Sequence, residues 1–183
     1  MFEIGEKASK DNAYISNKVT AWDNDPVERF GAFDDPNNPP QHVKHNRYYF
    51  ALPVNEFDKN KPIPGIRERS PWRDEVVKDN ESLFKGRWIR VTNLSNGTVI
   101  YAQWLDTGPC RTLNCNDPDY AFGSSPPQNK FGLGAGLDLS PAAMRDLGED
   151  GSAKVEWEFV DESEVPSGAW TDDPPITNEI FWN

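Results

Sequence analysis

Cysteine and histidine are scarce in this 183-residue chain, with two of each. Positive charge is short as well. The 19 Lys and Arg face 30 Asp and Glu, for a formal net charge of -11. An acidic surface argues against nucleic acid, whose phosphates need Lys and Arg to neutralise them. It argues equally against anionic membrane surfaces. No stretch approaches the roughly 18 consecutive apolar residues of a transmembrane helix. Neither a nucleic acid nor a membrane is therefore expected as a partner, and a monomer is expected. The length suits a single domain with a sizeable core, here taken as residues 1–183.

The few metal-type ligands limit cofactor chemistry. His42 and His45 form the only H-x-x-H pair, and Cys110 and Cys115 lie close together in one loop. Zinc wants four ligands from paired clusters, and these four have no zinc-finger spacing. No metal or other cofactor is expected. The cysteines fit a disulfide closing a small loop, two free thiols or half a metal site. The Cys110–Cys115 disulfide is the expectation carried forward. The opening "MFEIGEKASKDN" lacks a basic region followed by an apolar run. That leaves a cytoplasmic chain or one whose leader has been removed. Its wealth of Pro, Gly, Asn, Asp and Trp favours a secreted protein.

Local patterning is clearest in the second half. "RYYFALPV" reads as a strand. "GRWIRVTNLSNGTVIYAQWLD" reads strand, turn, strand, with Asn96-Gly97 as the hairpin signal. "GLDLSPAAMRDLG" predicts a short helix. Ser140 is a natural N-cap, Pro141 suits the first helical position, and Gly148 can take a left-handed conformation at the end. "AKVEWEFVD" alternates, with Val155, Trp157 and Phe159 on one side and Lys154, Glu156 and Glu158 on the other. Lys18 to Trp22 reads as a further short strand. Residues 54–85 are too long and too rich in charge and proline for a plain connection. Strands dominate, so a small β-barrel or sandwich with one or two short helices is expected.

Two segments carry a resemblance. "TVIYAQWLDTGP" resembles the strand and Asp-x-Gly-Pro turn of RlpA-like proteins. "GAGLDLSPAAMRDLGEDGSAKVEWEFV" resembles the helix and closing strand shared by RlpA-like proteins and the first domain of bacterial expansins. "NKVTAWD" and "YYFALP" are similar to two further strands of that group. It is the double-psi β-barrel group, which also holds barwin, family 45 endoglucanases and MltA-type lytic transglycosylases. The resemblance implies a mainly β fold, a six-stranded double-psi β-barrel with one or two short helices and a long loop insertion. Its core would be residues 18–53 and 86–161, with the insertion at 54–85 and a C-terminal tail at 162–183. It also implies a carbohydrate-active protein that binds and cleaves a β-linked polysaccharide, a β-glucan or a peptidoglycan glycan strand. The alternative is a non-catalytic wall-binding or wall-loosening module, as expansins and barwin-like proteins are.

Glycoside cleavage needs a carboxylic acid to protonate the leaving oxygen, and often a second carboxylate to activate water or stabilise charge. Asp138 of "GLDLSP" matches the acid of family 45 endoglucanases and the aspartate essential in expansins. Asp106 of "DTGP" matches the RlpA-type aspartate. Asp23 or Asp25 of "TAWDND" lies near where the endoglucanases keep their base. Plainer roles exist. A carboxylate near a helix N-terminus is often only stabilising, by about 0.3–1 kcal/mol, and Asp106 can cap its turn. Aromatic rings stack on the apolar faces of sugars and equally fill cores. Trp88 and Trp157 are expected in the core. The candidate substrate-binding residues are Trp22, Trp104, Thr20, Tyr120 and Phe122. Trp104 is expected to share a strand face with Asp106, since residues i and i+2 point the same way. Lys130 borders the same region, and Trp72 is either a lid residue or a local anchor.

Overall fold

A computed structural model of the protein describes residues 2–3, 46–58, 61–79, 81–109, 116–128, 134–149 and 153–179. The expected strand at 18–22 lies outside them. So do Thr20, Trp22, Asp23, Asp25, His42, His45, Cys110, Cys115 and Lys130.

The described chain is mainly β. Its strands are β1 (Phe2–Glu3), β2 (Tyr49–Leu52), β3 (Phe57–Asp58), β4 (Lys61–Pro62), β5 (Trp88–Asn93), β6 (Val99–Thr107), β7 (Asp138–Leu139) and β8 (Lys154–Val160). Two short helices accompany them, α1 (Pro118–Ala121) and α2 (Pro141–Asp146). Six strands form one curled sheet in the order β1-β8-β5-β6-β2-β7, and β3 and β4 pair separately.

The clearest sequence signals sit where they were expected. β5 and β6 are an antiparallel hairpin, and Gly97 at its tip has φ +75°, a conformation other residues resist. Ser140 caps α2 by accepting the Ala143 N–H at 3.3 Å. The same hydroxyl donates to the Arg47 carbonyl at 2.6 Å and accepts the Tyr49 N–H at 3.3 Å, so the cap also sews α2 to β2. Along β8, Val155 is buried and Glu156 and Glu158 are exposed, while Trp157 and Phe159 are half-buried.

One inner face carries the core. Phe50, Leu52, Ile89, Val91, Ile100, Ala102 and Trp104 are all essentially inaccessible to solvent. These are β-branched, aromatic or aliphatic residues that fit a pleated, buried surface. Trp104 stacks on Phe84 with centroids 5.3 Å apart and planes 11° apart.

The insertion is organised around one buried carboxylate. Glu56 has no exposed side-chain surface and accepts from Arg67 Nε at 2.7 Å, from the Leu83 N–H at 2.9 Å, and from Ser82 Oγ. Burial holds its carboxyl above the ordinary range, although these donors pull the other way. Trp72 is the local anchor. It meets Phe159 edge-on at 4.8 Å, and the Arg87 guanidinium lies over its ring at 4.5 Å. The tail fastens to the insertion and to β6. The Ser82 N–H donates to the Asn178 carbonyl at 2.8 Å, and Lys85 Nζ donates to the Glu179 carbonyl at 2.7 Å. Buried Gln103 bonds the Ile176 N–H at 2.8 Å and its carbonyl at 3.2 Å.

Candidate functional site

Asp106 and Asp138 meet across a single residue. Ala51 on β2 pairs with Asp106 of parallel β6 on one side and with Asp138 of antiparallel β7 on the other. Residues paired in register across neighbouring strands point to the same face. Both carboxylates therefore flank the small Ala51 side chain. Two strand spacings separate their backbones, about 10 Å. Both side chains are half-buried.

A β-bulge makes this possible. Phe50 pairs with Trp104, but the next residue, Ala51, pairs with Asp106, so Leu105 is an extra residue on β6. Trp104 and Leu105 are both buried, and Asp106 is turned to the other face. This corrects the expectation that Trp104 and Asp106 share a face. The i and i+2 rule fails because the bulge lies between them. The Trp104 indole N–H donates to the Asp106 carbonyl at 2.8 Å, closing the bulge.

The two family-like motifs also touch directly. A Cβ built on Gly108, of the Asp-Thr-Gly-Pro turn, would lie 3.3 Å from Asp138 Oδ2 and 4.0 Å from the Ala51 Cβ. Glycine there lets the carboxylate lie against the turn. Asp106 Oδ1 accepts the Thr107 N–H at 2.8 Å. Capping of α2 falls to Ser140 and not to Asp138.

Tyr120 packs against the segment that leads into Asp138. Its ring rests on Gly136, where an added Cβ would stand 2.2 Å from Tyr120 Cζ. Its hydroxyl accepts the Trp157 indole N–H at 3.2 Å. Burial pushes this phenol well above its ordinary pKa. The Trp157 bond opposes that shift, and the charges of Asp117 and Asp138 reinforce it. Asp117 itself is occupied on both oxygens by Gln128, at 2.8 and 3.0 Å.

Two of the expected sugar platforms are corrected here. Stacking requires an exposed ring face, yet Trp104 is 0% and Tyr120 1% exposed. Phe122 is half-buried and packs in the aromatic cluster with Trp72, Phe84, Trp104 and Phe159. Ala51, Gly108 and Gly136 were missed as site residues. Their signal was present, since Gly108 and Gly136 stand inside the two motifs, but small side chains declare nothing until their neighbours are known.

Among the described residues, no group of three or more His, Cys, Asp and Glu could hold a metal ion, and no helix is long and apolar enough to cross a membrane. No family model matches the chain, and no curated protein matches it.

Proposed function

We propose that this chain is a secreted, monomeric carbohydrate-active protein that binds and cleaves a β-linked polysaccharide, with Asp138 as acid/base and Asp106 as its partner. The observation that carries the reading is the shared register of both aspartates on Ala51. Protonating a glycosidic oxygen while activating water or stabilising an oxocarbenium-like sugar takes two carboxyl groups about 5–10 Å apart. Backbones two strands apart on one face suit that span. The strong negative charge favours a neutral glucan over an anionic wall polymer.

The double-psi barrel is part of this proposal. The chain leaves β2, crosses to β5 two strands away, and returns through β6 to lie parallel beside β2. A psi-type motif requires such a crossed return, and a plain meander does not produce it.

Release of reducing ends or anhydro sugars from purified β-glucans and from peptidoglycan tests the reading. Asp138→Asn and Asp106→Asn should each cut the rate by about 10²–10⁴-fold with the fold intact. No cleavage of any of these glycans by the native chain sinks it. The competing reading, a wall-binding module without chemistry, draws on the Asp106 Oδ1 bond to the Thr107 N–H, the contact of a turn-capping carboxylate. On that reading, Asp138→Asn leaves glycan binding unchanged and no product forms.

A further inference from the structure

We infer that Asn96 is a self-modifying site, which deamidates when the nitrogen of Gly97 attacks its side-chain amide, and that the change detaches the tip of the β5–β6 hairpin from the end of α2. The inference does not depend on the glycan reading.

The chemistry needs only water and the chain itself. The Gly97 nitrogen gives up its proton and bonds to Asn96 Cγ, while the Cγ–Nδ2 bond breaks and Nδ2 leaves as ammonia, taking up a proton. Water then opens the resulting succinimide at either carbonyl, leaving aspartate or isoaspartate. A following glycine suits the attack, because it has no side chain to crowd the approach. Asn96-Gly97 is the one Asn-Gly pair in the chain, and both residues are exposed at the hairpin tip. Three bonds restrain the reactants in the folded tip. The Gly97 N–H donates to the Asn93 carbonyl at 2.8 Å, Asn96 Oδ1 accepts the Thr98 N–H at 2.8 Å, and Asn96 Nδ2 donates to the Leu147 carbonyl at 3.2 Å. Attack therefore waits for the tip to open. Each such bond is worth only a few-fold in an equilibrium, and exposed tips open at low cost.

The contacts of this amide make the change consequential. The Leu147 carbonyl, at the end of α2, receives Nδ2 of Asn96 and also, at 3.1 Å, Nδ2 of Asn93. Asn96 lies against Gly148, where an added Cβ would stand 2.8 Å from Nδ2. An ionised aspartate in its place has no proton to donate, and it sets a negative charge beside the carbonyls of a helix end. Glu149 is already bound to the same tip, by Asn93 Nδ2 at 2.7 Å and Ser95 Oγ at 3.3 Å. A second carboxylate there repels the first.

The full chain is incubated at mildly alkaline pH, folded or in urea, and its peptides are followed by mass spectrometry. In the folded protein the Asn96 peptide should gain the amide-to-acid mass before the peptides of other asparagines. Urea should speed this by about tenfold or more. Gly97→Ala puts a methyl beside the attacking nitrogen and should slow the reaction in urea, where folding of the variant does not matter. Asn96→Asp supplies one product directly. Hydrogen exchange of the Gly148 and Glu149 N–H groups, which bond to Arg145 and Met144 at the end of α2, should then quicken by about threefold or more. An unmodified Asn96 in the folded chain, an equal rate in urea, or a reaction indifferent to Gly97→Ala overturns the assignment. Unchanged exchange at Gly148 and Glu149 in Asn96→Asp overturns the detachment.

Discussion

Gly136→Ala sets two effects of opposite sign against each other. Replacing glycine by alanine where φ is unstrained stabilises a protein by about 0.4–1 kcal/mol, because the unfolded chain loses freedom. Gly136 is not in the left-handed region, so that gain is open to it. Against it stands the geometry. The new methyl would lie 2.2 Å from Tyr120 Cζ, 2.5 Å from its oxygen and 2.6 Å from Cε1. Ordinary carbon contact is about 3.5–4.0 Å, so the ring or the strand must yield by roughly 1 Å or more. The ring cannot retreat cheaply, because it is 1% exposed and its oxygen holds the Trp157 N–H. Overpacking of a tight core costs about 1–3 kcal/mol. The clash wins, and we expect a net loss of about 1–2 kcal/mol, or a drop in Tm of about 2–8 °C for a chain of this length. Urea unfolding followed by tryptophan fluorescence, with a thermal melt, measures both. The cause is isolated by a double-mutant cycle with Tyr120→Leu, in which Gly136→Ala should cost at least about 0.5 kcal/mol less. A Gly136→Ala protein as stable as the native one, or a cycle that closes additively, refutes the packing account of Asp138.

Three further predictions concern the scaffold that holds the site. Glu56 has its folded-state pKa raised by burial, so the stability it contributes is fully present below its ordinary value of 4.5 and is lost as pH rises through the raised value. The native chain should therefore lose stability relative to non-titrating Glu56→Gln as pH rises above 4.5, by about 1.4 kcal/mol for each pH unit separating the folded and unfolded titrations; urea titrations that give the opposite slope would mean the Arg67 ion pair outweighs desolvation. Gln103→Leu strands the Ile176 N–H and carbonyl and the Gly86 carbonyl, and it removes one of the two bonds donated by Asn46 Nδ2, which keeps the Trp170 carbonyl. At about 1–3 kcal/mol for each buried group left unmade, tempered by relaxation, a loss of about 3 kcal/mol is expected, with hydrogen exchange rising first around Ile176. If protection there is unchanged, Gln103 is not what holds the tail. Ser140→Ala removes a cap that also serves Tyr49 and Arg47, so it should cost more than the usual cap value of about 1 kcal/mol; a denaturation measurement at or below that value would make the two extra bonds inconsequential.

The elements legible in the sequence are those whose cause is local. The Asn96-Gly97 hairpin, the Ser140-Pro141 start of α2 with Gly148 after it, and the alternation of Val155, Glu156 and Glu158 are each written within a few residues. The insertion was legible only as an oddity. Its organising contact joins Glu56 to Ser82 and Leu83, and its outer fastening joins Ser82 and Lys85 to Asn178 and Glu179. No short-range period encodes either.

The site divides the same way. By itself the sequence determined that two aspartates stand at strand ends beside glycines, because turn chemistry and strand patterning are short-range properties of the chain. Only the tertiary structure decided that Asp106 and Asp138 flank Ala51, that Leu105 is bulged so that Trp104 turns into the core, and that Tyr120 backs Gly136. Each of those depends on which strand lies beside which. Register between distant segments is chosen by the packing of a whole face of the sheet, and no single stretch of residues carries that information.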